Sequence, residues 1–138
     1  MSTAQQILVV YAAVSVVFGM SLGVPLTRAR MASATAPHHL VVAHLSALIQ
    51  GALYFGAAFG LGLSALTPWL DTTAALLLVS ASALFVAGAT ANWRQGIGDH
   101  FAARSLGFRL LAASGAPHLV GALLLVVGTV SGALSASP

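Results

Sequence analysis

Five residues in this chain combine chemically capable side chains with places where such groups are rare. His44 lies in Leu40-Val41-Val42-Ala43-His44-Leu45-Ser46-Ala47-Leu48-Ile49-Gln50-Gly51, an otherwise apolar segment. Gln50 follows it by six residues and Tyr54 by ten. His118 interrupts a second apolar segment, Ser114-Gly115-Ala116-Pro117-His118-Leu119-Val120-Gly121, and Asn92 closes a third. An imidazole within lipid must hydrogen-bond, pair or coordinate, because an unsatisfied polar group there is costly and ionisable groups in spans mark function by default. A histidine nitrogen is also the commonest metal ligand.

Much other chemistry is excluded. The only acids are Asp71 and Asp99, both near the ends of apolar runs, so paired-carboxylate catalysis has no basis. A proton relay would need an acid inside a span, and there is none. The absence of cysteine removes disulfides, thiolate metal sites and cysteine nucleophiles. No Ser-His-Asp spacing or phosphate-binding loop is visible. Zinc would need three or four histidines, and His38 and His39 are adjacent and so point apart. A porphyrin needs only one axial histidine. Haem at His44 is therefore the most economical cofactor reading, with His118 a second possible ligand. His38 and His39 read as interfacial residues, and His100 as a loop residue.

The elements that must hold these residues are membrane helices. Only 5% of the 138 residues are charged and 59% are hydrophobic, against about 25% charged in soluble domains. A span needs about 20 apolar residues, and four stretches qualify: 6–25, 39–65, 69–93 and 110–134. The expected fold is an all-α, integral membrane four-helix bundle forming a single domain. The short link near Thr67-Pro68 makes the second and third spans a tight antiparallel hairpin. With no positive n-region before it, the first run reads as a retained span. The loops 26–38 and 94–109 carry all five arginines, Arg28, Arg30, Arg94, Arg104 and Arg109. These loops share one side of a four-span chain, and the positive-inside rule places them in the cytoplasm. The expected location is a bacterial inner membrane. So few scattered cations do not track nucleic acid.

Small residues recur at close-packing spacing: Gly19-x-x-x-Gly23, Gly56-x-x-x-Gly60 and Gly128-x-x-x-Gly132. Such motifs let helix backbones approach closely, either within one chain or between copies.

The stretch from Ala43-His44 to Gln50-Gly51 resembles the second helix of the styrene oxide isomerases, where an Ala-His pair is followed, six residues after the histidine, by Asn-Gly. Phe18-Gly19-Met20-Ser21-Leu22-Gly23 is similar to that family's first helix. Gly88-Ala89-Thr90-Ala91-Asn92-Trp93 resembles the end of its third, and Pro117 to Gly121 its fourth. The resemblance implies a homotrimer around haem b, whose ferric iron acts as a Lewis acid on an epoxide oxygen. Ring opening and a hydride shift then give an aldehyde or ketone from a small hydrophobic substrate such as an aryl epoxide. Carried over by position, His44 is the iron's axial ligand, while Gln50 and Asn92 lie near the substrate. The family's tyrosine falls on Gly96, and Tyr54 is the tyrosine that could act in its place. Two alternatives stand beside this: a non-enzymatic bis-His cytochrome b using His44 and His118, and a cofactor-free transport or scaffold protein.

Overall fold

The computed structural model describes residues 1–136. Helices α1 (Thr3–Ala32), α2 (His38–Leu61), α3 (Pro68–Arg94) and α5 (Leu106–Ser135) are each long and apolar enough to cross a membrane. A single turn, α4 (His100–Ala103), precedes α5. The described residues contain no strand, as lipid requires of a chain that does not close a barrel.

Two antiparallel pairs make the bundle. α1 lies along α2 and α3 along α5, and α3 joins the pairs through both α1 and α2. Lipid supplies no hydrophobic drive for helix association, so the contacts rest on small residues that admit close approach. The interior accordingly holds Ala12, Ala43, Ala47, Ala58, Ala74, Ala75, Ala81 and Ala89, while Val14, Val17, Leu53 and Leu123 face outward.

Local chemistry sets the ends. Ser2 and Gln5 form a capping box at the start of α1. The Gln5 Nε2–H also donates to the Ala58 carbonyl at 3.0 Å, tying α1 to the far end of α2. Pro68 opens α3 in the first turn, where its missing N–H costs nothing. Ser64 Oγ donates to Asp71 Oδ1 at 2.8 Å, and Ala65 N–H donates to the Gly128 carbonyl at 3.1 Å. These bonds hold the link between α2 and α3 against α5.

The first span does not end at Pro25 as its sequence predicts. α1 runs on to Ala32, so Arg28 and Arg30 are helical. Proline removes one helix bond, but in a membrane protein the surrounding structure tolerates this where a loop would expose several groups. Arg30 Nη1 then donates to the Ala34 carbonyl at 2.6 Å just beyond the helix end. Pro117 is likewise absorbed inside α5. The second span is shorter than expected, ending at Leu61, and the 94–109 loop contains α4.

Candidate functional site

His44 lies in the second turn of α2 and faces α1. Its Nδ1 is 2.7 Å from the Gly19 carbonyl. A carbonyl only accepts, so Nδ1 carries the proton and donates. That fixes the tautomer: the lone pair is on Nε2, which makes no hydrogen bond within the described residues. A ring held through one nitrogen by a backbone carbonyl, with the other nitrogen open, is how metal-ligating histidines are typically oriented. The donor chemistry at His44 therefore fits a haem iron.

The Gly19-x-x-x-Gly23 motif makes this geometry possible. A Cβ at Gly19 would lie 2.8 Å from Leu48 Cδ2 and 3.1 Å from the Leu48 nitrogen, and one at Gly23 would lie 3.4 Å from His44 Cε1. The two glycines form the groove that receives His44 and Leu48, one turn apart on α2. The motif thus serves packing within the chain. Gly60 likewise faces Thr129, and Gly128 and Gly132 face the 63–66 link, whereas Gly56 meets no side chain or neighbouring backbone within 4 Å among the described residues.

Gln50 and Tyr54 point away from that groove, toward α3. Gln50 Oε1 accepts a short hydrogen bond from Ser82 Oγ, which in turn accepts from the Tyr11 hydroxyl at 3.0 Å. The carboxamide's acceptor is thereby used, while its Nε2–H groups have no partner among the described residues. The Tyr54 hydroxyl donates its single proton to the Leu78 carbonyl at 2.8 Å, so it must accept from His118 Nε2–H at 3.0 Å. Tyr54 is buried and stacks 5.7 Å from Tyr11, centroid to centroid.

Two expectations change here. The Tyr54 hydroxyl, expected as an available group, is engaged in the core by Leu78 and His118. His118 does not join His44 at one iron within the chain. Its Nε2 is protonated and held at Tyr54, which lies ten residues, about 15 Å, along α2 from His44 and on a different face.

Asn92 is also positioned for structure. It is fully buried, and its Oδ1 accepts from Ser105 Oγ at 2.6 Å. Ser105 in turn caps α5 by accepting from Phe108 N–H at 3.0 Å. Asn92 thus anchors the start of α5 to the end of α3. Just beyond it, the Gly96 N–H bonds the Trp93 carbonyl and the Ile97 N–H bonds the Asn92 carbonyl, each at 3.0 Å. With Gly96 at φ +64°, this is a Schellman ending, which favours glycine over any side chain. The residue standing at the family's tyrosine is therefore required here to stop the helix.

His39 packs inside the bundle rather than on its surface. Its side chain is only 5% exposed, and its Nε2 is buried without a partner. Its ring stands 5.3 Å from that of His38 and 5.1 Å from that of His100, which α4 brings back against α2. The three imidazoles border a cavity of about 370 Å³ between α2, α3, α4 and α5. Neighbouring Pro37-His38-His39 and Asp99-His100-Phe101 were the available sequence signals, but they are 60 residues apart and only the fold joins them. The described residues contain no cluster arranged to hold a metal ion through three or more His, Cys, Asp or Glu side chains.

Fold and site together define a small, all-helical chain with four membrane-length helices and a single oriented histidine in the α1–α2 groove. Comparison with known protein families, with curated proteins and with solved structures finds no match.

Proposed function

We propose that this protein binds haem b through His44 in the membrane and isomerises a small apolar epoxide to an aldehyde or ketone. The observation that carries the reading is the His44 ring, with Nδ1–H fixed on the Gly19 carbonyl and Nε2 open. The resemblance of the helix segments around Gly19, His44 and Asn92 to the styrene oxide isomerases supports the same assignment.

A ferric haem supplies a Lewis acid for the epoxide oxygen. The chain's own residues do the rest. Gly19 holds the imidazole in the tautomer that can ligate. Gln50, about 9 Å along α2 from His44, keeps amide N–H groups without a partner among the described residues on the side facing α3. His118, retained by Tyr54, would stay clear of a group held at His44. Leu45, Ile49 and Leu53 leave an apolar, exposed strip on α2 that suits both a macrocycle and a neighbouring copy, and a homotrimer is part of the proposal. The arginine-bearing ends of α1 and α3 lie toward the cytoplasm.

The test is an absorption spectrum of detergent-purified protein expressed with sufficient haem, followed by turnover of an aryl epoxide. The expected result is a Soret band of five-coordinate ferric haem, lost in His44→Ala and kept in His118→Ala, with epoxide converted to carbonyl product. Purification without haem, or haem retained by His44→Ala, refutes the assignment of the ligand. Haem bound through His44 with aryl and alkyl epoxides untouched refutes the isomerase.

A further inference from the structure

The cavity beside α4 is separate from the His44 groove and has its own chemistry. Its walls are apolar, with Phe85, Phe108 and Leu111 facing His38, His39 and His100. Its volume, about 370 Å³, falls within the range of small-molecule sites. His44 does not line it.

Two features point to a ligand. His39 is 95% buried yet its Nε2 has no hydrogen-bond partner, and buried polar atoms in folded proteins are nearly always paired. His39 also borders an adjoining space of about 240 Å³ lined by Asn92. There the Asn92 Nδ2 is a second buried polar atom without a partner. The orphan atoms at this end of the bundle are thus an amide donor and an imidazole nitrogen that can donate.

The polarity selects the ligand's head group. No acidic side chain lines either space. Asp99, next to His100 in sequence, accepts the Phe101 and Ala102 N–H groups at Oδ1 as the cap of α4. A head group that only accepts, and that gains from facing several imidazoles, is a carboxylate. The aromatic wall requires an apolar body of modest size. We infer that this cavity binds a small apolar carboxylate, its head at His39 and its body against Phe85, Phe108 and Leu111.

The probe is 4-(trifluoromethyl)phenylacetate, observed by fluorine NMR with the full-length protein in nanodiscs. The matching neutral alcohol, 2-[4-(trifluoromethyl)phenyl]ethanol, is the comparison. Saturable binding of the acid is expected, with the alcohol weaker by about tenfold, the usual scale for losing a charge-assisted hydrogen bond. His39→Phe keeps a ring of similar size and should weaken the acid by about tenfold and the alcohol by less. Ala112→Trp fills the cavity and should abolish both. His44→Ala, which removes the haem ligand proposed above, should leave acid binding intact, so the two readings fail separately. Equal binding of acid and alcohol by the wild type, or no saturable binding of the acid, overturns the inference without recourse to any variant. So does full acid affinity in a folded His39→Phe protein.

Discussion

Replacing Gly19 and Gly23 with alanine, one at a time, tests how closely α1 approaches α2. The two positions are one turn apart in the same helix, so the gain in helix propensity on replacing glycine is nearly the same at each and cancels in the comparison. What remains is steric. At Gly19 the new methyl would sit 2.8 Å from Leu48 Cδ2 and 3.1 Å from the Leu48 backbone nitrogen. The leucine side chain can swing aside, but the backbone cannot, so the helices must separate. At Gly23 the only neighbour among the described residues is the His44 ring at 3.4 Å, an ordinary contact. Overpacking of this kind costs about 1–3 kcal/mol, so Gly19→Ala should be less stable than Gly23→Ala by about that amount. Reversible unfolding in mixed detergent–SDS micelles, followed by far-ultraviolet circular dichroism, reads the difference. Haem content provides a second readout, because moving the Gly19 carbonyl loosens the His44 ring. It should fall in Gly19→Ala and hold in Gly23→Ala. Equal stability of the two variants, or greater damage from Gly23→Ala, would refute the α1–α2 register.

Tyr54→Phe removes the bond to Leu78 and the one from His118, and should cost about 1–2 kcal/mol on the scale measured for membrane-buried hydrogen bonds. Combined with His118→Ala it should cost less than the sum of the single changes, since both delete the same contact; strict additivity in the same unfolding assay would rule out the pair. Gly96→Ala should destabilise by about 1–2 kcal/mol because its backbone is left-handed. Gly98→Ala, equally uncrowded and without positive φ, should be close to neutral. Adding haemin to protein purified under haem limitation should raise the unfolding midpoint with the logarithm of the ligand excess, and should not do so in His44→Ala.

The sequence reveals the spans because their length is a property of the bilayer, readable from any uninterrupted apolar run. It reveals His44 for the same reason: a polar residue stands out against lipid-facing neighbours. Which face of each helix meets which partner is not readable, since valine and leucine surround every helix and leave little amphipathic signal. That is why Tyr54 looks like an available hydroxyl until Leu78 and His118 are seen on either side of it. Pro25 misleads for a related reason. The rule that proline stops helices reflects water's readiness to take up the freed carbonyl, and the bilayer withdraws that option. The burial of His39 is not readable either, because it depends on a turn of helix 60 residues later, whose return toward α2 no local pattern announces.

The acceptor that orients His44 belongs to the main chain. Every amino acid placed at position 19 would bring the same carbonyl, so no substitution there deletes this bond; it can only be displaced. An alanine scan would consequently find no side chain that hydrogen-bonds His44, and would sense the pairing only through the crowding at Gly19. The tautomer is protected against mutational drift so long as α1 and α2 stay close enough. Selection at this site would then act on side-chain bulk rather than on hydrogen-bonding capacity. An amide-to-ester replacement that weakens the Gly19 carbonyl, leaving every side chain in place, is the perturbation that would expose it.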